Sequence, residues 1–416
     1  MTSTAFKTLL LPAILALLAF IITFQFVDPP PPKKIVFTTG DAEGAYHAFA
    51  KHYQRFLQEH GIEVVLQPSE GSVTNIERLQ NKQASVGFVQ GGVDSSEKNS
   101  GLESLGSLYY EPLWVFFKKS QGISHLPDLS GGSIYVGNEG SGSRALALQV
   151  LKDNETLEKV ELVAESANQL EELLTGQLRA VFMVASASSL SVREMLENPE
   201  IELMNFSRAE AYQRRLKFLS SVTLPRGMVS LSKDLPAEPK TLLAATANLV
   251  VREDLHPAIQ DLLLQAAAEI HTSGGWFESH GEFPSEKYLE YPLSSHARRF
   301  YQFGPPLLQR YLPFRFASLI DRLKVMMLPL IVLMIPLMKI MPPIYTWRMR
   351  SKIYRWYQEL ERIDLEQSRN SKEIDALRER LDSIEQEVIH VHVPLSFASQ
   401  LYDLRQHIEL VKRRLV

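Results

Sequence analysis

No cysteine occurs anywhere in the chain. That excludes a disulfide framework, a thiolate metal site and a cysteine nucleophile. It leaves the compartment open, since exported proteins also avoid thiols. Strong charge of one sign is lacking too. The formal net charge is −4 over 416 residues, which gives no bulk electrostatic pull toward a polyanion, so no nucleic-acid partner is expected. The sequence also lacks a G-x-S-x-G elbow, an H-E-x-x-H pair and a G-x-x-x-x-G-K-[ST] phosphate loop. Gly140-Ser141-Gly142 offers a serine without the elbow spacing. His47, His52 and His60 fall in one predicted helix but not on one face. His390-Val391-His392 reads as a solvated turn rather than a chelate. The expectation is no enzyme, no metal and no cofactor.

What the chain does have is two strongly apolar segments. The first, Thr8 to Val27, carries no charge, and about 20 such residues span a bilayer as a helix. A cleaved signal peptide is the rival, but it needs a small-x-small site after a shorter apolar core. Here Phe24-Gln25-Phe26-Val27-Asp28 places bulky residues there. Residues 1–33 are therefore expected to be an uncleaved signal anchor ending in a stiff spacer, Pro29 to Pro32. The second segment, 325–346, is interrupted by Pro329, Pro336, Pro342, Pro343 and Lys339. It is read as a second transmembrane segment after a juxtamembrane stretch, 301–324; a kinked interfacial segment is the alternative. The Lys/Arg balance tips slightly toward both termini being cytoplasmic.

Between these segments, residues 34–300 alternate. Strands are predicted at 35–39, 62–67 and 85–90, with helices at 45–60 and 73–81. The pattern restarts with strands at 133–137, 160–164 and 179–185 and helices at 145–151 and 169–175. An extended stretch, Leu113 to Lys118, joins the two units. The expected class is α/β with two lobes, the second at about 120–222. In open parallel sheets ligands bind beyond the carboxyl ends of the strands. The loops 40–45, 70–75, 90–93 and 140–144 should all lie there.

Those loops carry a family resemblance. Thr39-Gly40-Asp41-Ala42-Glu43-Gly44-Ala45-Tyr46, Gln67-Pro68-Ser69-Glu70-Gly71-Ser72-Val73-Thr74-Asn75, Val86-Gly87-Phe88-Val89-Gln90 and Gly140-Ser141-Gly142-Ser143-Arg144-Ala145 resemble, in order, motifs of the TAXI solute receptors. These are the extracytoplasmic subunits of TRAP transporters. The resemblance implies a type II periplasmic-binding-protein fold, flanked here by transmembrane helices and a C-terminal helical hairpin, as in a membrane-anchored branch of that family. It implies a binding domain outside the bacterial inner membrane that captures a small carboxylate or amino acid for a multi-span TRAP-type transporter. Asp41 and Glu43 depart from the family pattern. Two acidic groups in a desolvated cleft disfavour a dicarboxylate, so the ligand carries an amine, the cleft has changed its job, or both side chains point to solvent.

The candidate ligand-binding residues are Thr39, Gly40, Asp41, Glu43, Tyr46, Ser72, Val73, Gln90, Gly140, Ser141, Gly142, Ser143 and Arg144. Gly140 to Ser143 precede a predicted helix, where backbone N–H groups and the dipole suit an anion. Arg144 would clamp a carboxylate bidentately or form a surface ion pair. Tyr46 offers a ring and a hydroxyl, or packs beneath its loop. Ser72 and Val73 present donors or cap a helix. Gln90 presents an amide or closes its strand end.

Past Ile344 the chain is charged and helical. Arg348 to Trp356 suits anionic lipid head groups. Ile374, Leu377, Leu381, Ile384 and Val388, then Leu401, Leu404, Ile408, Val411 and Leu415, form two heptad stripes. Residues 347–416 are expected to be a cytoplasmic coiled-coil tail, folded as an antiparallel hairpin or forming a homodimer. Two other readings of the whole chain stand beside the receptor: a membrane ligand sensor signalling through this tail, and a scaffold with a degenerate cleft.

Overall fold

The computed structural model describes residues 14, 17–18, 20–21, 29–93, 101–187, 189–369 and 374–415. The chain divides into two compact units, Pro30–Leu319 and Ile320–Val416 with Met1–Pro29.

The larger unit is built from two matching halves. In lobe I, β1 (Lys34–Thr38), β2 (Glu63–Gln67) and β3 (Val86–Gln90) run parallel in the order β2-β1-β3. In lobe II, β5 (Ser133–Tyr135), β6 (Glu161–Val163) and β7 (Ala180–Val184) run parallel in the order β7-β5-β6. Two long strands join the halves. β4 (Leu102–Lys118) pairs antiparallel with β7, and β10 (Lys240–Arg252) pairs antiparallel with β3. They also pair with each other along their length, giving the order β2-β1-β3-β10-β4-β7-β5-β6. Each lobe thus has the same plan, three parallel strands closed by one antiparallel strand that crosses from the other lobe. All five residues of β3 are buried, as expected of a strand covered on both faces.

The crossover helices follow from local sequence. α1 (Ala45–Glu59) buries Tyr46, Ala50, Tyr53 and Leu57, spaced for one helical face. Read from the sequence alone, Ala45, Ala48, Phe49, His52, Phe56 and Leu57 mark a face rotated from this one. α1 packs on both the sheet and α7 (Pro257–His271), which leaves Phe49 and Phe56 half-buried at the edge of that core. α2 (Ser72–Gln80) and α3 (Gly142–Asp153) begin at the strand-end loops. α7 opens with Pro257 at its first position, where proline is favoured, and His256 Nδ1 accepts from the Ala258 N–H.

In the smaller unit, Ile353, Leu360 and Ile363 of the helix Phe314–Arg369 pack with Leu377, Leu381, Ile384 and Val388 of Ile374–Ile389, and with Leu404, Ile408, Val411 and Leu415 from Ala398–Arg414 and its C-terminal end. Both predicted stripes are present and pack on each other, but the coiled-coil reading is corrected: the long helix adds a third apolar face to the same cluster. Lys412 Nζ bridges Asp382 and Glu385 at 2.8 Å each across this packing.

The membrane reading is also corrected. The segment 325–346 lies inside the helix Phe314–Arg369, and no helix among the described residues is long and apolar enough to cross a membrane. Its run is broken by four prolines and Lys339. The signal-anchor expectation falls on residues 1–28, which lie outside the described residues save for Ile14, Leu17, Leu18, Phe20 and Ile21. The flanking transmembrane helices, the inner-membrane placement, the juxtamembrane and lipid-contact roles and the cytoplasmic assignment of the termini therefore lose their basis.

Candidate ligand-binding cleft

The predicted loops do converge, and they do so on each other. The Val73 N–H of lobe I donates to Gly140 O of lobe II at 3.3 Å. The Gln90 side-chain amide donates to Gly142 O at 3.1 Å. Gly71, at φ +139°, lies so close that a Cβ there would sit 3.1 Å from Ser141 Cα, so only glycine fits this lip of the cleft. The lobes meet directly through these loops.

Each candidate residue accordingly has a partner within the protein. Ser72 Oγ accepts from the Gln90 N–H at 2.9 Å. Ser141 Oγ accepts from the Arg144 N–H at 3.2 Å, a helix cap, and donates to Asn138 O at 2.7 Å. Ser143 Oγ accepts from the Val184 N–H at 2.9 Å. The Arg144 guanidinium donates to Gly137 O at 3.5 Å. Thr39 is fully buried, its hydroxyl 3.2 Å from His47 Nδ1. Gly40 O accepts from the Ser69 N–H at 3.2 Å. Asp41 and Glu43 are exposed, and Asp41 Oδ1 accepts from the Glu43 N–H at 2.8 Å, so they stand on the loop rim.

Tyr46 turns inward. Its hydroxyl donates to Glu111 Oε2 at 2.8 Å, beneath the lip. Glu111 sits mid-way along β4 and is 4 % exposed. Burial pushes its carboxyl up to about 7, and the Tyr46 hydrogen bond offsets part of this. The pH consequence has a definite sign. With the folded pKa above the unfolded value, the folded state holds its proton more tightly, so the contribution is full at acid pH, below the unfolded value. It is lost as pH rises through about 7. Glu111→Gln keeps an acceptor for Tyr46 and removes the charge. The variant should flatten the fall in stability between about pH 5 and pH 8, and gain up to about 3 kcal/mol at the alkaline end. Urea unfolding across that range tests this; a parallel pH slope in both proteins would rule it out.

Sequence reasoning missed a chamber beside this network. A cavity of about 220 Å³ is lined by Phe49, Tyr109 and Tyr110, by Ser186 and Ala187 of lobe II, and by the turn from Ile270 to Glu278. Tyr109 and His271 are both more than nine-tenths buried, and among the described residues neither the Tyr109 hydroxyl nor His271 Nε2 has a hydrogen-bond partner. The Tyr109 hydroxyl lies within the field of both Glu111 and Glu278, and it helps Tyr46 to hold the Glu111 carboxyl down. Burial, with a smaller push from His52, drives the His271 imidazole down to about 3, so it is neutral. Glu278 accepts from the Tyr110 N–H at 3.0 Å and the Phe277 N–H at 3.4 Å. Its carboxylate occupies the space a Cβ at Gly275 would take, so that glycine makes room for the charge. Desolvation raises the Glu278 pKa, and these backbone donors partly restrain it. The sequence signals were Glu111, the one charged residue in the run Leu108 to Phe117, and the Gly274-Gly275-Trp276 turn after a helix. Among the described residues no group of His, Cys, Asp or Glu is placed to hold a metal ion.

Among solved structures, a protein from Bordetella bronchiseptica RB50 is 14 % identical, over 58 % of this chain and 72 % of its own, with a TM-score of 0.42. An ancestral arginine-binding protein bound to arginine is 16 % identical, over 57 % and 92 %, with a TM-score of 0.38. A putative L-cystine ABC transporter from Listeria monocytogenes is 11 % identical, over 60 % and 100 %, with a TM-score of 0.40. Likenesses this loose say nothing of the ligand. The sequence model that matches, over residues 37–301, is that of the NMT1-like family. It replaces the identification as a TAXI receptor, and with it the membrane-anchored branch and the TRAP-type transporter. The motifs behind that identification prove to be strand-end and helix-start residues whose side chains hold this α/β architecture together, so they do not single out one family. With its match spanning both lobes, the chain belongs to the NMT1-like family.

Proposed function

We propose that the protein is a two-lobed binding protein, not an enzyme, that closes on a small molecule held between its lobes. One observation carries the reading: two matching α/β lobes, joined by two crossing strands, touch through the loops at the carboxyl ends of their parallel strands. Strand-end loops are where open α/β sheets bind ligands. A pair of strands is a narrow hinge, and hinge closure around a ligand is the motion such a joint permits. The hydrogen bonds from Val73 to Gly140 and from Gln90 to Gly142 belong to the closed form in this reading.

The absence of native cysteine makes the test clean. Glu70 and Glu139 are exposed at the facing lips. With Glu70→Cys and Glu139→Cys each carrying a pyrene, excimer emission reports lip contact. Opening should occur in the unliganded ensemble, and members of a panel of amino acids, amines and small carboxylates should raise the excimer fraction saturably. An excimer ratio unmoved by the whole panel would overturn the closing-receptor reading.

A further inference from the structure

The chamber between the crossing strands and the turn from Ile270 to Glu278 has a chemistry of its own. Its walls are aromatic: Phe49, Tyr109, Tyr110, Trp276 and Phe277. Aromatic faces attract cations, and the Trp276 ring already carries one, the Arg193 guanidinium, 5.7 Å from its centre. Glu278 is the one acidic residue in the lining, which contains no lysine and no arginine. The buried Glu111 adds to the negative field felt at Tyr109.

Among the described residues, two buried polar atoms here have no partner, the Tyr109 hydroxyl oxygen and His271 Nε2. Buried polar atoms are nearly always paired, and each unpaired one costs on the order of 1–3 kcal/mol. A neutral imidazole protonated at Nδ1 accepts at Nε2, and the carboxylate of Glu278 accepts as well. A primary ammonium brings three N–H donors and a charge of the right sign. A carboxylate ligand would meet like charge with no basic partner, which is costly in a desolvated site.

We propose that this chamber is the ligand seat and that it selects a small aromatic or apolar primary amine over acids and neutral molecules, through Glu278, Tyr109, His271 and the aromatic walls. The proposal rests on the inter-lobe binding reading above and names its ligand class. The chamber draws on lobe I through Phe49 and on lobe II through Ser186 and Ala187, so an occupant would bridge both lobes and favour the closed form.

Three probes of one shape test it on the full chain: benzylamine, benzyl alcohol and benzoate, by calorimetric titration. Benzylamine alone should bind measurably, and Glu278→Gln should weaken it about tenfold or more, as expected for losing a charge-assisted hydrogen bond. Should Glu278→Gln fail to fold, Tyr109→Phe keeps the ring and should still weaken benzylamine severalfold. Undiminished benzylamine binding in a folded Glu278→Gln variant overturns the seat. Binding of benzoate or benzyl alcohol as tight as that of benzylamine overturns the amine class and leaves the inter-lobe receptor standing. Silence to all three overturns the proposal too, and the excimer experiment then decides the wider reading separately.

Discussion

Asn75→Leu should destabilise the larger unit by at least about 3 kcal/mol and leave the lips unable to meet. Asn75 is fully buried. Its Nδ2 donates to Phe88 O at 2.8 Å and to Thr39 O, and its Oδ1 accepts from Thr38 Oγ1 at 2.6 Å and Ser69 Oγ at 2.7 Å. One side chain thus ties the end of β1, the body of β3 and the loop that carries Gly71. A leucine of similar volume breaks all four bonds and adds no compensating contact to polar neighbours. Urea unfolding gives the stability loss, and the pyrene pair gives the loss of lip contact. A shift under about 1 kcal/mol, the worth of a single ordinary hydrogen bond, would show that Asn75 is not the hub described. Asn75→Asp should fare no better, since it removes both donors and buries a charge.

The second large effect is expected at Trp114. It is wholly buried in lobe II and lies parallel to Phe116 at 6.2 Å. Its indole N–H donates to Ala185 O at 2.9 Å. Trp114→Ala should cost about 3–5 kcal/mol through the cavity left behind. Trp114→Phe fills most of that space but leaves Ala185 O without its donor, which adds a cost of about 1–3 kcal/mol for the unpaired carbonyl. Ala185 precedes Ser186 and Ala187 in the chamber wall. The phenylalanine variant should therefore weaken benzylamine binding while remaining folded. Thermal unfolding and titration separate the two effects, and a Phe variant of native stability and affinity would refute the positioning role.

The local elements were readable because their signals are local. Short apolar runs ending in glycine or proline, followed by helical spacing, mark β1 to β3 and β5 to β7 within a residue or two. What joins the lobes was not readable. β4 appeared only as the extended stretch Leu113 to Lys118, because Gly106 and Pro112 interrupt it in sequence. β10 sits far in sequence from β3 and β4, the strands through which it joins the lobes, and no local pattern encodes a non-local ladder. For the site, position was legible and role was not. Ser72, Gln90, Ser141 and Ser143 stand at the strand ends as expected, yet their donors and acceptors serve the opposite loop or their own helix. A sequence names a side chain's capacity to bond, whereas the partner is settled by packing. Asn75 was within a quoted motif and passed over, since one asparagine in a helix carries no sign of being buried. The apolar segment 325–346 shows the converse error, in which length and hydropathy were weighed without the packing of the helix that contains it.

The course of the chain through the lobes also bears on how it is made. Lobe II is a continuous insertion between β4 and β10, whereas lobe I is completed only by β10 and α7. On a ribosome, β1, β2 and β3 emerge first, but the partner that covers β3 arrives only after the whole of lobe II has been synthesised. Lobe II can assemble its parallel strands during this interval, while lobe I waits with one sheet edge open. An open apolar edge is the part of a nascent protein most prone to pair with another chain. Nascent lobe I is therefore where a chaperone would have most to protect, and slow translation of lobe II would lengthen that exposure.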